Sequence, residues 1–202
     1  MNLREQFGDI DIYLFDQLLR GRIQPEMRVL DAGCGMGRNL VYLMREGFDI
    51  AAVDESAAAV DAVRQRAARV APSLPATAFR VEPVESLSFE GAAFDVVISS
   101  AVLHFARDEA HFRAMLDQMW RVLRPAGIIF ARLASTIGMP IESFDPLVGR
   151  RFHLPDGSER FLVDEDFLMA EMDRLRAQLG DPLKTTVVQN ARCMTTWILR
   201  KA

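Results

Sequence analysis

Between Arg28 and Arg132, short apolar runs alternate with longer stretches whose apolar positions recur every three or four residues. The short runs predict strands over Arg28–Leu30, Asp49–Val53, Ala78–Val81, Phe94–Ser99 and Gly127–Arg132. The longer ones predict helices over Arg38–Glu46, Ser56–Ala71 and Glu109–Leu123, with Gly47 as a helix stop and Ser56 as an N-cap. Ile12, Phe15, Leu18 and Leu19 share a helical face within Ile10–Arg20, so a helix precedes the first strand. Strand-helix alternation of this kind implies a parallel sheet covered by helices on both faces.

The last third breaks the rhythm. Pro155-Asp156-Gly157-Ser158 is a turn cluster between Phe152–Leu154 and Phe161–Val163, which predicts a hairpin. Asp164 caps a helix predicted over Glu165–Leu179, and Gly180-Asp181-Pro182 ends it. Leu183–Gln189 and Cys193–Leu199 read as two closing strands.

Composition bounds this picture. The 202 residues, half of them hydrophobic and 26% charged, fit one domain with a sizeable core, and no repeat or linker divides them. A net charge of -4 gives no basis for a general nucleic-acid surface. Cys34 and Cys193 have neither a CxxC partner nor a neighbouring His, so neither a disulfide framework nor a metal site is expected. The charged stretch Met1–Asp11 does not read as a signal peptide. No apolar run approaches the roughly 20 residues of a membrane helix, so a cytoplasmic location is expected.

The chemistry centres on Val29-Leu30-Asp31-Ala32-Gly33-Cys34-Gly35-Met36-Gly37-Arg38. A strand enters a glycine-dense turn and a helix leaves it, so a ligand can approach main-chain N–H groups closely. The spacing is G-x-G-x-G; the dinucleotide fingerprint G-x-G-x-x-G would need glycine where Arg38 stands. Asp31 at the strand end suits a cationic or amine-bearing ligand better than a pyrophosphate. Asp54, followed by Glu55, ends the second strand, where a carboxylate can accept from both hydroxyls of a ribose.

This turn resembles the first motif of class I S-adenosylmethionine-dependent methyltransferases, in particular small bacterial ones of the type 11/12 or tellurite-resistance kind. Three further segments follow in the family's order. Glu82-Pro83-Val84-Glu85-Ser86-Leu87-Ser88-Phe89 is similar to G-D-A-x-x-L-P-F, with Pro83 in place of the adenine-contacting Asp. Phe94-Asp95-Val96-Val97-Ile98-Ser99-Ser100 through Leu103-His104 matches the fourth-strand pattern. Leu123-Arg124-Pro125-Ala126-Gly127 resembles L-R-P-G-G, with Ala126 for the first glycine.

The resemblance implies a three-layer, Rossmann-like α/β fold with a seven-stranded, mostly parallel sheet in order 3-2-1-4-5-7-6, the last strand antiparallel. It implies one domain over residues 1–202, with 1–25 as a helical lid that carries Phe7 and Tyr13, and 133–165 as a substrate-side insertion containing the hairpin. S-adenosylmethionine would contact Asp31, Gly33, Cys34, Gly35, Arg38, Asp54, Glu55, Pro83, Val84, Ser99 and Ser100, and would leave as S-adenosylhomocysteine. Val84 would offer its main-chain N–H to the adenine ring, and Glu82 or Glu85 would serve the amino group. Ser99 and Ser100 would border the methionine end, and Arg38 would meet the cofactor carboxylate or pair with Asp9 or Asp11. His104 is the candidate general base, with packing near the cofactor loop as the alternative. Tyr13, Arg132, Arg151 and His153 are candidate substrate determinants, and the run from Gly149 to His153 a candidate anion site. The implied partner is a small-molecule methyl acceptor, with no nucleic acid and no membrane, for a monomer or homodimer; no Asp-Pro-Pro-Tyr motif of base-methylating enzymes follows the fourth strand. An NAD(P)-dependent oxidoreductase and a non-catalytic S-adenosylmethionine-binding protein are the alternatives.

Overall fold

The computed structural model of the protein describes residues 2–202. Two helices come first, α1 (Leu3–Phe7) and α2 (Ile12–Leu19), whose N-caps Asn2 and Asp11 each accept a backbone N–H two residues on. The alternating segment follows as β1 (Arg28–Ala32), α3 (Leu40–Arg45), β2 (Asp49–Asp54), α4 (Ala57–Val70), β3 (Phe79–Val81), β4 (Phe94–Ser100), α5 (Glu109–Val122) and β5 (Leu123–Ser135). The remainder forms β6 (Asp145–Pro146), β7 (Arg151–His153), β8 (Glu159–Phe161), α6 (Glu165–Leu175), β9 (Ala177–Leu179), β10 (Lys184–Val188) and β11 (Arg192–Lys201).

The main sheet runs β3-β2-β1-β4-β5-β11-β10, and β9 also pairs with β11. β9 takes Leu199–Lys201 and β10 takes Arg192–Thr196, so the two are halves of one edge strand broken around Gly180–Leu183. Counted that way, the order is the expected 3-2-1-4-5-7-6. β1 to β5 are mutually parallel and β11 is antiparallel to β5.

Period-2 alternation sorts the strand side chains into two cores. Leu30, Val97, Ile129, Leu133 and Trp197 face α5 and α6, where Phe112, Leu116, Met119 and Leu168 are buried. Val29, Ile50, Val96, Ile98 and Phe130 face the other side, against Leu14, Leu40, Leu43, Val60 and Val63. Helices therefore cover both faces. Among the described residues, no helix is long and apolar enough to cross a membrane.

Two expectations need correction. The helix predicted to reach Leu179 stops at Leu175, because Arg176 is left-handed (φ 53°) and Ala177–Leu179 pair with β11. Such a C-cap is usually glycine or asparagine, and arginine gives no such signal. The predicted hairpin is present as β7–β8, but β6 joins it, making a small three-stranded sheet.

From β1 the chain proceeds outward to β2 and β3, then returns to place β4 and β5 on the other side of β1. In open α/β sheets the crevice at such a reversal, beyond the carboxyl ends of the strands, is where ligands bind.

Candidate cofactor and substrate site

A cavity of about 530 Å³ opens at that reversal. Its walls come from the turn after β1 (Gly33–Met36, Arg38, Asn39), the end of β2 (Asp54, Glu55) and the segment after β3 (Pro83–Glu85). The end of β4 (Ser100–Val102), Phe105 and Arg107 close another side, and His111 and Met115 of α5 complete it.

The turn needs its glycines for different reasons. Gly33 has φ 80°, and a Cβ there would lie 2.5 Å from Val102 Cγ2. Gly35 has φ 49°, but a Cβ there would meet nothing within 4 Å; it would occupy ligand space. The N–H groups of Gly33 and Cys34 both donate to Val53 O (2.9 Å each), which fixes the turn against β2. Asp54 accepts from Gly35 N–H (2.8 Å) and Ser56 N–H (2.9 Å), so the carboxylate tying the turn together also faces the cavity. Burial, reinforced by the negative charges of Asp31 and Asp54, pushes the Cys34 thiol far up, and it stays protonated.

Asp31 lies just behind this wall, 1% exposed, and its Oδ2 has no hydrogen-bond partner among the described residues. Burial pushes its carboxyl up to about 7; Arg38 opposes the shift and Asp54 adds to it. A buried carboxyl lacking a partner is costly unless something cationic or hydrogen-donating completes it. Val84 offers a main-chain N–H that finds no acceptor among the described residues.

A second cluster stands behind Ser100. Asp11, whose side chain is fully buried, receives Arg132 Nη1 at 2.7 Å, lies 3.6 Å from Arg38 Nη2 and 3.5 Å from Ser100 Oγ. Arg38 Nη2 donates to Ser100 Oγ (2.8 Å), and Asn39 Oδ1 accepts the Asp11 N–H (3.0 Å). Asp9 pairs with Arg4 instead. The guanidinium of Arg132 is thus committed to Asp11, and the Tyr13 hydroxyl to Thr186 Oγ1 (2.7 Å). Phe7 packs edge-on against Phe15 and tilted against Tyr42.

Around the cavity the structure gathers Gly33, Cys34, Gly35, Arg38, Asp54, Glu55, Pro83, Val84 and Ser100. It does not put Ser99 there: that side chain is fully buried inside the sheet, its hydroxyl without a partner among the described residues. Tyr13 and Arg132 sit behind the wall with Asp11. Arg151 and His153 lie on β7 beside Glu159, at 2.5 and 3.6 Å, so this pair faces an acid.

His104 is off the main cavity too. Its Nδ1 accepts the Ala134 N–H (3.1 Å), and burial, then the positive charges of Arg160 and Arg192, push its pKa down to about 3. With that lone pair used and the proton on Nε2, the imidazole has no basic nitrogen to offer a substrate at neutral pH. The packing alternative describes it better. The histidine on the cavity wall is His111, which sequence reasoning passed over. Its Nδ1 accepts Arg107 N–H (3.2 Å), and its Nε2 lies 3.1 Å from Glu85 Oε1 without hydrogen-bond alignment. The available signal was Asp108, which caps α5 by accepting the His111 N–H and so places His111 in the first turn of the helix that follows β4.

An open, doubly covered sheet of this order, with a glycine turn at the reversal and an acid ending β2, defines an α/β protein built to bind an adenosine-type ligand. Residues 30–131, half of the chain, match the family described as Methyltransferase domain. The chain belongs to that family, within the class I S-adenosylmethionine-dependent methyltransferases. It is 32% identical over 131 residues to a ubiquinone biosynthesis O-methyltransferase of Methylocella silvestris, covering 63% of this chain and 48% of that one. It is 32% identical over 116 residues to a malonyl-[acyl-carrier protein] O-methyltransferase of Serratia marcescens, covering 57% and 42%. The chain spans about half the length of the curated relatives it matches. Among solved structures, the Burkholderia thailandensis 1,6-didemethyltoxoflavin-N1-methyltransferase, with 1,6-didemethyltoxoflavin and S-adenosylhomocysteine bound, superposes with a TM-score of 0.73 at 19% identity. That likeness covers 96% of this chain and 80% of the other, and concerns the fold.

Proposed function

We propose that the protein transfers a methyl group from S-adenosylmethionine, seated in the 530 Å³ cavity, to a small-molecule acceptor. One observation carries the reading: a buried carboxyl with an unpartnered oxygen, Asp31, behind a glycine wall that leaves ligand space open at Gly35. An α-ammonium group suits that carboxyl, whereas the pyrophosphate of a nicotinamide dinucleotide would meet Asp31, Asp54 and Glu55 together. Asp54 keeps acceptor capacity for ribose hydroxyls beyond its two N–H contacts. The Val84 N–H serves a ring nitrogen, with Glu85 and His111 as the polar side chains along that wall. Arg38, held by Ser100 and Asp11 in the cavity wall, is the cation that would meet a cofactor carboxylate.

When bound, the donor supplies an electrophilic methyl on a sulfonium that leaves readily. The chain's task is then to hold an acceptor in line with it and to exclude water, which needs little acid-base help. This agrees with an inert His104. Bound S-adenosylhomocysteine should be detectable by calorimetry and should raise the melting temperature, whereas NAD should do neither. An acceptor panel of phenols, carboxylic acids, thiols and a small RNA is then assayed for S-adenosylhomocysteine production. Binding of NAD in preference to the methyl donor would refute the reading. Binding without turnover on any acceptor would favour a non-catalytic protein, a second reading that Pro83 at the adenine-contacting position supports.

A further inference from the structure

We propose that a smaller cavity beside the cofactor site seats the acidic group, carboxylate or phosphate, of the methyl acceptor, with Arg107 and Arg160 as its counter-charges and Phe105 as the platform for its flat apolar body. This rests on the methyltransferase reading above and names the acceptor class for it. The cavity, about 130 Å³, lies between the segment after β4 and the β7–β8 hairpin. It shares Phe105 and Arg107 with the larger cavity, so the two meet at those residues. Its volume suits one acidic head group and not a whole acceptor. The rest of the molecule must therefore extend over Phe105 toward the end of β4.

The charges around it are unbalanced. Arg151 is neutralised by Glu159 at 2.5 Å, and Glu159 also lies 3.6 Å from His153 Nδ1. Arg107 and Arg160 reach no carboxylate within 4 Å among the described residues. Arg160 lies over the Phe105 ring (4.7 Å to its centre) and donates Nη1 to Glu159 O (2.7 Å), which fixes its fork at the rim. Phe105 is 58% exposed, an unusual position for a phenyl ring at a cavity junction, and a flat ligand would cover it. His104 on the same wall is neutral and keeps its Nε2 proton, so it adds a donor. Glu159 also lines the recess but is paired with Arg151, so among the described residues two guanidinium groups and an imidazole N–H stand there without a free acid and form a receptor for an anion.

The test uses the whole chain saturated with S-adenosylhomocysteine, titrated calorimetrically with benzoate, phenyl phosphate and neutral benzamide. Benzoate or phenyl phosphate should bind about tenfold or more tightly than benzamide, the size expected of charge-assisted contacts. Whichever acid prevails identifies the head group. Arg160→Gln, which lies off the cofactor cavity, should reduce that preference to about twofold or less with S-adenosylhomocysteine affinity unchanged, and Arg160→Glu should remove acid binding entirely. Equal binding of benzamide and the acids, or an acid preference that survives in both variants, overturns the inference and leaves the cofactor reading intact. Failure of wild-type protein to bind S-adenosylhomocysteine overturns both.

Discussion

Asp31 and His104 should pull stability in opposite directions across the same pH range, and separating them tests the environment of the site directly. Asp31 is raised from 3.8 to about 7 by burial. The unfolded chain ionises this group from about pH 4 upward while the folded chain holds its proton, so its contribution is complete at low pH and is lost as pH rises through about 7. Three units at 1.36 kcal/mol each make this at most about 4 kcal/mol. His104 is lowered from 6.5 to about 3, again by burial first. Its contribution is complete above 6.5 and is lost as pH falls toward 3, at a similar magnitude of about 4–5 kcal/mol. Asp181, lowered to about 2 by Arg22 and Gln17 against its burial, acts below pH 4 and leaves the window to these two. Wild-type protein should therefore show a nearly flat melting temperature between pH 4 and 7. Asp31→Asn should unmask His104: the melting temperature falls by about 10 °C from pH 6.5 to 4, at 2–4 °C per kcal/mol for a domain of this size. His104→Gln should do the reverse and lose a similar amount from pH 4 to 7. Melting followed by circular dichroism in matched ionic strength reads both. Two variant curves running parallel to the wild type would refute the assigned environments. The same carboxyl predicts that S-adenosylhomocysteine binding at pH 6 releases a proton in wild-type protein and none in Asp31→Asn, read from calorimetry in buffers of different ionisation enthalpy.

Gly33→Ala should cost about 2–4 kcal/mol of stability in urea denaturation, because its Cβ meets Val102 at a left-handed φ. Gly35→Ala should cost only about 1–2 kcal/mol yet weaken S-adenosylhomocysteine binding at least as much, since its Cβ enters ligand space. Ala126 adopts φ 61° where the family carries glycine, so Ala126→Gly should raise stability by about 0.5–1 kcal/mol. Gly127→Ala should lower it, its Cβ falling 2.8 Å from Asp95 O; equal effects at the two positions would contradict this. Asp11→Asn should destabilise by at least about 2 kcal/mol, because Arg132 loses its buried counter-charge; an unchanged urea midpoint would contradict it.

The sheet and its order were legible because β1, β2 and β4 are apolar, short and separated by strongly patterned helices. The placement of Asp31, the glycine turn and Asp54 at the strand ends beside the cavity was legible because it follows from main-chain geometry. What escaped the sequence depends on long-range approach. Ser99 and Ser100 are adjacent and chemically alike, yet alternation buries one in the sheet and turns the other to the cavity. His104 matched a motif, but its exposure was set by β5, thirty residues on, whose Ala134 N–H occupies it. Arg132 looked available until Asp11, 121 residues earlier, claimed it. The end of α6 at Arg176 has no local cue at all.

The helix α2 is tacked down at both ends. Asp11 at its start is clamped by Arg132, and beyond its far end Arg20 and Arg22 grip Asp181 at 2.8 and 2.7 Å, at the break in the edge strand. The beginning of the chain is thereby stitched to its last quarter. Any swinging of the N-terminal segment must pivot ahead of Asp11, and a swing that carried α2 with it would unfasten the seam that holds β9 and β10 in line.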